Sequence, residues 1–536
     1  MAAHGISHKR VFLNGKIYTV NPYQPYAEAL VVVNNRFAFV GTNEQAEKYI
    51  DQETEIIKLD RKLVIPGFID AHAHFIKGGF SLQNINLRDA KSSSEFRQLV
   101  RDYILTHNGE WITGGNWDHE QWDDKELPTR QLIDNITTET PVFVERTDLH
   151  MGLANSLALK IAGINRDTSD PNGGMIVKDS NGNPTGILKD NAIMLIKKYI
   201  PEPGETDILK AASNALDYIK QFGITGIHDI SEKNNLPVYQ KLENQGLLSC
   251  RIYSIYPLRE YMDLVAENIH YSVGTEKLKK GSLKAFADGS LGSGTAWFFD
   301  PYINEGNYCG LPTDLVIDGL IDNLAIEADK HKLQLCIHAI GDKANKYVLD
   351  LYKLILDKNP SWDRRDRIEH AQHLRMEDIK LFKDYNIMAS VQPYHLTEDG
   401  VWAENKIGKK SSSLMYAFKS LLDNNVRLCF GSDWTVAPIN PLLGIYAAVT
   451  RRTIDGKNPN GWNPEQKISV EEAIKCYTIN NAYASYQEKN LGSIEPGKFA
   501  DFIVLSDDIL TIEPEKIKEA KVVMTVFDGK IIYSIN

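Results

Sequence analysis

Short apolar runs separated by turn residues occupy the N-terminal end of the chain. Residues 10–20 read RVFLNGKIYTV and residues 28–41 read EALVVVNNRFAFVG. The pairs Asn14-Gly15 and Asn34-Asn35 interrupt these runs, and a two-residue turn of this kind between apolar stretches is typical of a β-hairpin. We therefore expect antiparallel β structure at this end of the chain.

The C-terminal end repeats the pattern. Residues 500–505, ADFIVL, predict a strand, and residues 521–533, KVVMTVFDGKIIY, predict a hairpin that turns at Asp528-Gly529. Two β-rich ends around a long middle indicate one small β domain assembled from both ends. We place its boundaries at residues 1–65 and 488–536.

The middle of the chain, residues 66–487, alternates helical and strand-like patterns. Four stretches with helical apolar spacing each lead into a strand; the pairs are 209–222 with 224–230, 320–332 with 333–340, 376–385 with 387–391, and 414–425 with 426–433. Ser469 and Glu472 predict a capping box that opens a final helix ending near Ala484. Repeated units of this kind form a parallel sheet, either a barrel or a doubly wound sheet.

The motif LVIPGFIDAHAH, residues 63–74, is the first sign of chemistry in this middle region. It begins as a buried strand and ends with two histidines. Residues two apart on a strand face the same way, so His72 and His74 present their imidazoles side by side at the carboxyl end. Such a pair can chelate one metal ion.

Four later strand-like runs also end in a metal-capable or charged residue, namely Lys284, His338, His370 and Asp433. The separations of 54, 32 and 63 residues correspond to one, one and two βα units. With His72 and His74 on strand 1, these four fall on strands 4, 5, 6 and 8. Active sites of (β/α)₈ barrels lie at the carboxyl ends of the strands, so the pattern favours a TIM barrel over a doubly wound sheet. The sequence has no GxGxxG or P-loop motif that would support a nucleotide-binding sheet.

The middle region is longer than the ~250 residues of a typical barrel. The excess falls between about 75 and 280, and we expect insertions there that roof the site. Their loops include Trp111, Trp117 and Trp122.

Lys284 needs separate chemistry, because a protonated lysine has three donors and no acceptor and cannot bind a cation. Carbon dioxide adding to the neutral amine gives an anionic carbamate that can bridge two divalent ions about 3.5–4 Å apart. The alternative is one ion on His72, His74 and Asp433, with Lys284 merely cationic. Nitrogen and oxygen ligands without thiolate suit zinc, with manganese, iron or cobalt as further choices. Asp433 is then the general acid/base for an attacking, metal-activated hydroxide.

The composition argues against several classes of function. The formal net charge of −11, with no Lys/Arg-rich run, argues against a nucleic-acid partner. No apolar run reaches the ~20 residues of a membrane span, and the first ten residues lack the apolar core of a signal peptide. The five cysteines are scattered without a CxxC pair. We expect reduced thiols and a cytoplasmic protein.

Several motifs together resemble the amidohydrolase superfamily, and in particular the amidohydrolase family 3 branch that contains YtcJ-like proteins and N-substituted formamide deformylase. Besides PGFIDAHAH, they are DLHMGLANSLAL (148–159), FADGSLGSGTAWFFDPY (286–302), IHAIGDKAN (337–345), RIEHAQHL (367–374), SVQPYH (390–395), GSDW-x-V (431–436) and GSIEPGKFADFIVL (492–505). The resemblance covers nearly the whole chain. It implies a metal-bearing (β/α)₈ barrel with a β-sandwich built from both chain ends, and hydrolysis of a non-peptide C–N bond in a small amide-type substrate.

The resemblance also implies roles for single residues. His72, His74, Lys284, His338, His370 and Asp433 carry over as metal ligands, with a carbamylated lysine the usual form for such a set. His150 stands where the branch has a histidine after strand 2, facing the substrate carbonyl or the metal water. Candidate residues around the substrate are Asp288, Trp297, Phe298, His373, Tyr394 and Trp434, with His228 on a third strand.

Other functions stay open at this level. The same ligand set serves deaminases and cyclic-amide hydrolases, and a relative that lost its chemistry could act as a binding or regulatory protein. Barrels of this kind often pair, so a homodimer is expected by analogy.

Overall fold

The computed structural model describes residues 9–107, 110–123, 125–232 and 234–535. The first eight residues, in which the sequence predicts no signal-peptide core, lie outside the described residues. Within the described ranges, no helix combines the length and apolar character needed to cross a membrane. All five cysteines are free thiols, and Cys309 alone among them is not fully buried.

Eight parallel strands form a nearly closed barrel, which confirms the predicted fold class. They are β1 Phe68–Ala73, β2 Ile224–Ile230, β3 Arg251–Pro257, β4 Leu278–Phe286, β5 Gln334–Ala339, β6 Arg367–His370, β7 Met388–Val391 and β8 Leu428–Phe430. Each strand pairs with the next in chain order. The barrel closes where Ala73, at the end of β1, bridges in parallel to Trp434, just after β8.

Four candidate ligands lie on the strands that their spacing predicted, and one histidine lies on a different strand from the one predicted. Lys284, His338 and His370 lie on β4, β5 and β6, and Asp433 follows β8. His228, predicted on a third strand, lies on β2. The reason is that a single long connection, rather than a complete βα unit, separates β1 from the next strand of the barrel.

Helices surround the barrel and connect its strands. Those of the barrel layer are Phe75–Ser81, Glu205–Ile219, Asn235–Asn244, Tyr261–Ala266, Leu320–Lys330, Asp342–Lys358, Met376–Asp384, Phe418–Asp423, Pro441–Thr450, Val470–Cys476 and Ile479–Ala484. The others are Asn43–Glu47, Ser93–Ile104, Gln131–Asp134, Ser156–Ile161, Met194–Lys197, Asp314–Ile317, His395–Asp399 and Ala403–Ser412. The buried faces of the barrel-layer helices pack on the strands in one continuous apolar core.

The predicted capping box forms, because the Ser469 hydroxyl accepts from the Glu472 backbone N–H and the Glu472 carboxylate accepts from the Ser469 N–H. The helix it opens is shorter than predicted. The backbone leaves helical geometry at Thr478 (φ −131°, ψ −94°) and a second short helix follows.

Both ends of the chain build two further sheets. One has the strand order Arg36–Gly41, Ala29–Val33, Lys9–Leu13 and Glu55–Lys58, and the other Lys530–Ser534, Val522–Phe527, Phe502–Leu505, Leu63–Pro66, Lys16–Tyr18 and Tyr26–Ala27. The central pair of the second sheet joins the two ends, since Phe502 lies opposite Pro66 in an antiparallel register. Side chains of both sheets, among them Phe12 and Phe502, share one core, so the ends form a β-sandwich.

One of the three predicted hairpins is wrong. The strands on either side of Asn14-Gly15 lie in different sheets, whereas those around Asn34-Asn35 and Asp528-Gly529 pair with each other. A type I′ turn needs positive φ at both central residues. Asp528 (φ 53°) and Gly529 (φ 73°) meet this requirement, whereas only the first residue does so at Asn14-Gly15 and at Asn34-Asn35. The turn alone therefore does not distinguish these two sites: the strand Lys16–Tyr18 pairs with Leu63–Pro66 and Tyr26–Ala27 instead of Lys9–Leu13.

The extra length falls between β1 and β2 rather than being spread to about residue 280. It contains a six-stranded sheet with the order Gly174–Lys178, Pro184–Asp190, Met151–Ala154, Phe143–Arg146, Gly114–Trp117 and Ile85–Asn86. We call residues 82–204 the inserted segment. The short strand Val273–Gly274 pairs with β4.

Candidate metal and catalytic site

One cavity of about 540 Å³ lies at the carboxyl ends of the barrel strands. All six ligands predicted from the sequence line it: His72, His74, Lys284, His338, His370 and Asp433. The inserted segment supplies part of its wall, including Arg146 and His150. A cavity of this volume suits a small organic molecule.

The two histidines of the first motif meet Asp433 at the point where the barrel closes. The Asp433 N–H donates to the His72 carbonyl at 2.7 Å, which ties the residues after β8 to β1. Asp433 Oδ1 lies 3.3 Å from His74 Nε2 and 3.5 Å from His72 Nε2. One ligand atom of each residue lies within 4.8 Å of the others. These three side chains can therefore hold one ion together.

The other three predicted ligands adjoin this group. Lys284 Nζ lies 3.4 Å from His72 Nε2. The His370 ring centroid is 5.0 Å from that of His72 and 4.5 Å from that of His338. Sequence positions that span more than 360 residues thus converge on one cluster in the cavity.

Two polar residues that the sequence reasoning missed hold the imidazoles from behind. Glu369 Oε2 accepts from His72 Nδ1 at 2.5 Å, and Gln392 Oε1 accepts from His370 Nδ1 at 2.7 Å. Such bonds fix the ring orientation and leave Nε2 free for a ligand. Glu369 adjoins His370 in the sequence, but nothing in its spacing pointed to His72.

Burial favours the neutral form of His72 and His370. It lowers the pKa of His72 to about 4, with a further contribution from Lys284, and it lowers the pKa of His370 well below its ordinary value, aided by His338. Burial also lowers the pKa of Lys284 to about 8. Burial opposes ionisation of Asp433, but the neighbouring His72 and His74 hold the pKa of Asp433 well below its ordinary value. Neutral imidazoles and a carboxylate are the forms that bind metal ions.

The geometry of these residues fits a divalent ion. Asp433 Oδ1 is buried and makes no hydrogen bond within the described part of the chain, yet it faces the His74 nitrogen. Two lone-pair atoms at such a distance repel each other unless a proton or a cation lies between them. Imidazole and carboxylate ligands without thiolate suit zinc and related first-row ions.

His150 reaches the cavity from the inserted segment, just before the strand Met151–Ala154. Its Nδ1 lies 2.6 Å from Asp190 Oδ1, and its ring centroid is 5.2 Å from that of His338. Burial would lower the pKa of His150, but the hydrogen bond and charge of Asp190 raise the pKa above its ordinary value. In barrel order His150 follows β1, because the inserted segment precedes β2. Asp190 lies 40 residues from His150 in the sequence, and no motif or spacing predicted this contact.

Asp288 lines the cavity but does not contact the lysine four residues before it. Its carboxylate accepts three backbone N–H bonds, from Trp297 at 2.8 Å, Ile340 at 3.0 Å and Gly341 at 2.8 Å. One of its oxygens also lies 3.4 Å from His338 Nε2. The side chain therefore joins the loops after β4 and β5 beneath the site.

The other substrate candidates, Trp297, Phe298, His373, Tyr394 and Trp434, are not among the described residues that line the cavity. The Trp297 ring faces Lys343, and the Trp434 ring stacks on Tyr218 at 5.7 Å. Aromatic residues at strand ends here fill the space between the barrel and its helices. Apolar surface is more easily buried there than at a water-filled mouth.

His373, Phe298 and His228 also lie outside the cavity lining. His373 Nδ1 is bonded to the Ile340 carbonyl at 2.9 Å, and its ring meets the edge of Phe298. His228 lies inside the barrel, where its Nδ1 is 2.9 Å from Arg367 Nη1. Both histidines are buried in the core, where each makes its contact through Nδ1.

The inserted segment does line the site, as predicted, but through polar residues rather than tryptophans. Trp117 and Trp122 are buried in the core of the inserted segment. The cavity wall instead receives Arg146, which pairs with Asp118 at 2.5 Å and Asp148 at 2.6 Å. These ion pairs could not be predicted from the sequence, because Arg146, Asp118 and Asp148 follow no recognisable spacing.

A family model described as an amidohydrolase family matches residues 55–533. The chain belongs to the amidohydrolase family. The resemblance seen in the sequence motifs is thereby confirmed.

Three curated relatives match over almost the full length. The chain is 38% identical to "Protein LONG AFTER FAR-RED 3" of Arabidopsis thaliana, over 99% of this chain and 92% of the relative. It is 33% identical to "Putative amidohydrolase YtcJ" of Bacillus subtilis, over 98% and 99% respectively. It is 26% identical to "N-substituted formamide deformylase" of Arthrobacter pascens, over 98% of each chain.

A solved structure supports the same architecture. An uncharacterised metal-dependent hydrolase from Pyrococcus horikoshii OT3 superposes with a TM-score of 0.76 at 27% identity, covering 94% of this chain and 99% of the other. Family and structural neighbours together support a metal-dependent hydrolase of carbon–nitrogen bonds as the class to which this amidohydrolase belongs.

Proposed function

We propose that this amidohydrolase cleaves a non-peptide amide bond in a small molecule, of the N-substituted formamide type. The observation that carries the proposal is the convergence of His72, His74, Lys284, His338, His370 and Asp433 on one cavity. The amide class is taken from the Arthrobacter relative, which is named as an N-substituted formamide deformylase.

The six candidate ligands, with Lys284 as its carbamate, would hold two divalent ions, zinc first. In the alternative, a single ion is held by His72, His74 and Asp433. Bound ions would supply an acidified water and a polarised carbonyl. His72, His370 and Asp433 are pre-oriented for them by Glu369, Gln392 and the His72 backbone.

The chain's own residues account for the proton transfers. Asp433, a carboxylate beside the ligand group, takes a proton from the attacking water and returns it to the leaving nitrogen, so that amide and water give a carboxylic acid and an amine. His150 donates a hydrogen bond to the carbonyl oxygen as negative charge develops there. Asp190 holds the His150 ring for this task.

A panel of N-substituted formamides, acylated amines and cyclic amides tests the proposal, with metal content of the full chain measured alongside. We expect release of formate and amine, loss of turnover after chelation, and recovery with zinc or manganese. Turnover confined to cyclic amides or amino-heterocycles would replace this reaction with a ring opening or a deamination. Metal-free protein that stays inactive on every class with added metal would instead support a binding or regulatory role.

A further inference from the structure

Two charged side chains lie in the barrel interior below the cavity, and neither transfers a proton in the proposed reaction. Arg367 and Glu369 both lie on β6 and both side chains are fully buried. Arg367 Nε lies 3.0 Å from Glu369 Oε1. The second carboxylate oxygen, Oε2, lies 2.5 Å from His72 Nδ1. Arg367, Glu369 and His72 thus form a continuous relay from the barrel interior to the cavity.

The arginine in this relay is fixed from several directions. Its Nη1 lies 2.9 Å from His228 Nδ1 and donates to the Ala71 carbonyl at 3.4 Å, and its Nε contacts Cys336 Sγ at 3.2 Å. A carboxylate without a cation is costly to bury. Arg367 Nε, 3.0 Å from Glu369 Oε1, supplies that cation. The buried ion pair therefore keeps the carboxylate charged inside the barrel.

The contact fixes the tautomer of His72. An ionised carboxylate only accepts hydrogen bonds, so the proton of the neutral ring must be on Nδ1. The lone pair is then on Nε2, which lies 3.4 Å from Lys284 Nζ and 3.5 Å from Asp433 Oδ1. The opposite tautomer would place a proton where an ion must bind.

We propose that Glu369, supported by Arg367, is a positioning residue that presents His72 Nε2 to the metal and so sets the affinity of the site. The inference rests on the metal-dependent function proposed above. It concerns metal affinity, which is measured without turnover. Partners of this kind are typically worth 10–100-fold in metal affinity.

The test is an equilibrium zinc titration of the full chain against a chromogenic chelator, for wild type, Glu369→Gln and Glu369→Asp. If the glutamine oxygen accepts from His72 Nδ1, its NH₂ group faces the Arg367 guanidinium, which is also a donor. If the amide is flipped, the NH₂ group donates to Nδ1, and the ring proton must then lie on Nε2, where an ion would bind. We expect 10–100-fold weaker zinc binding for glutamine. Aspartate keeps the charge and should recover part of the loss.

A matched control separates positioning from stability. Arg364 and Asp329 form a second buried ion pair at 2.7 Å, remote from the cavity lining. Asp329→Asn should lower the melting temperature without changing zinc affinity. If Glu369→Gln does not fold, the double variant Arg367→Met with Glu369→Met replaces the pair by apolar side chains, which buried pairs often tolerate. It removes the same hydrogen-bond acceptor.

Weaker zinc binding in a folded Glu369 variant, with the control unchanged, supports the relay. Wild-type zinc affinity in folded Glu369→Gln or in the double variant overturns it, as does a wild-type chain that binds no divalent ion. A wild-type chain that binds zinc but hydrolyses no amide removes the proposed reaction, while the affinity comparison still decides the role of Glu369.

Discussion

At the scale of single residues, we expect the chemistry of Lys284 to set the metal content. Its Nζ lies 3.4 Å from His72 Nε2 among the other ligands, and a protonated amine there would repel an ion. We predict that Lys284→Ala lowers the content from about two ions to one per chain, with activity reduced at least 100-fold, because the carbamate bridge is lost.

Elemental analysis of purified protein measures this, with Lys189→Ala as the control. Lys189 is also largely buried, but its Nζ donates to the Ser293 carbonyl at 2.6 Å outside the cavity lining. A fully active wild-type protein with about one ion per chain would contradict the bridged two-ion site. Unchanged metal content and activity in Lys284→Ala would also contradict it.

The second prediction at this scale concerns the pair His150 and Asp190. Because Asp190 raises the pKa of His150, Asp190→Asn should lower that pKa. If the protonated ring assists the carbonyl, the alkaline limb of the kcat profile moves to lower pH. We expect kcat to fall about 10–100-fold at neutral pH while metal content is unchanged. An unshifted profile with wild-type kcat would assign His150 a structural role.

At the scale of elements, the helix that follows the histidine motif depends on a glycine. Phe75–Ser81 packs on Glu205–Ile219, and a Cβ added at Gly79 would lie 2.0 Å from the Ala211 carbonyl oxygen. Helix propensity alone favours alanine over glycine by up to ~1 kcal/mol. The steric conflict outweighs this, so Gly79→Ala should lower the free energy of unfolding by about 1–3 kcal/mol.

Urea unfolding of the holoenzyme measures the sign of this change. Stabilisation by alanine would mean that the two helices can separate without cost. Because His74 adjoins the same helix, the variant should also bind metal less tightly. The alanine change thus reports whether the packing of this helix supports the ligand.

At the scale of the whole molecule, a buried ion pair joins the barrel to the β-sandwich. Arg251, the first residue of β3, meets Asp501, just before the strand Phe502–Leu505, at 2.6 Å, and both side chains are almost fully buried. Asp501→Asn leaves the guanidinium poorly compensated. We predict a loss of about 3–5 kcal/mol in unfolding free energy.

Calorimetry or denaturant unfolding checks this prediction against Asp357→Asn. Lys353 and Asp357 form an exposed pair on one helix, with side chains 46% and 59% exposed, and its loss should cost less than about 1 kcal/mol. Metal content should stay unchanged in both variants. Equal effects of the two substitutions would contradict a structural role for the buried pair.

Much of this amidohydrolase followed from its sequence alone. The period of apolar residues determined the βα units and the β-rich ends. Residues at the ends of five strands indicated six candidate ligands, two of them on β1, because side-chain direction repeats every two residues in a strand. The order of Lys284, His338, His370 and Asp433 around the barrel followed from their spacing.

Only the tertiary structure decided which distant side chains meet. Strict alternation along β6 sends Glu369 and His370 to opposite faces, yet the positive φ of His370 (73°) turns the chain and both reach the ligand group. Asp190 and Glu369 find their histidines across 40 and 297 residues of sequence. Trp117 and Trp122 lie in the core of the inserted segment and do not line the cavity. Local patterns cannot encode such pairings, since burial and hydrogen bonding between distant elements determine them.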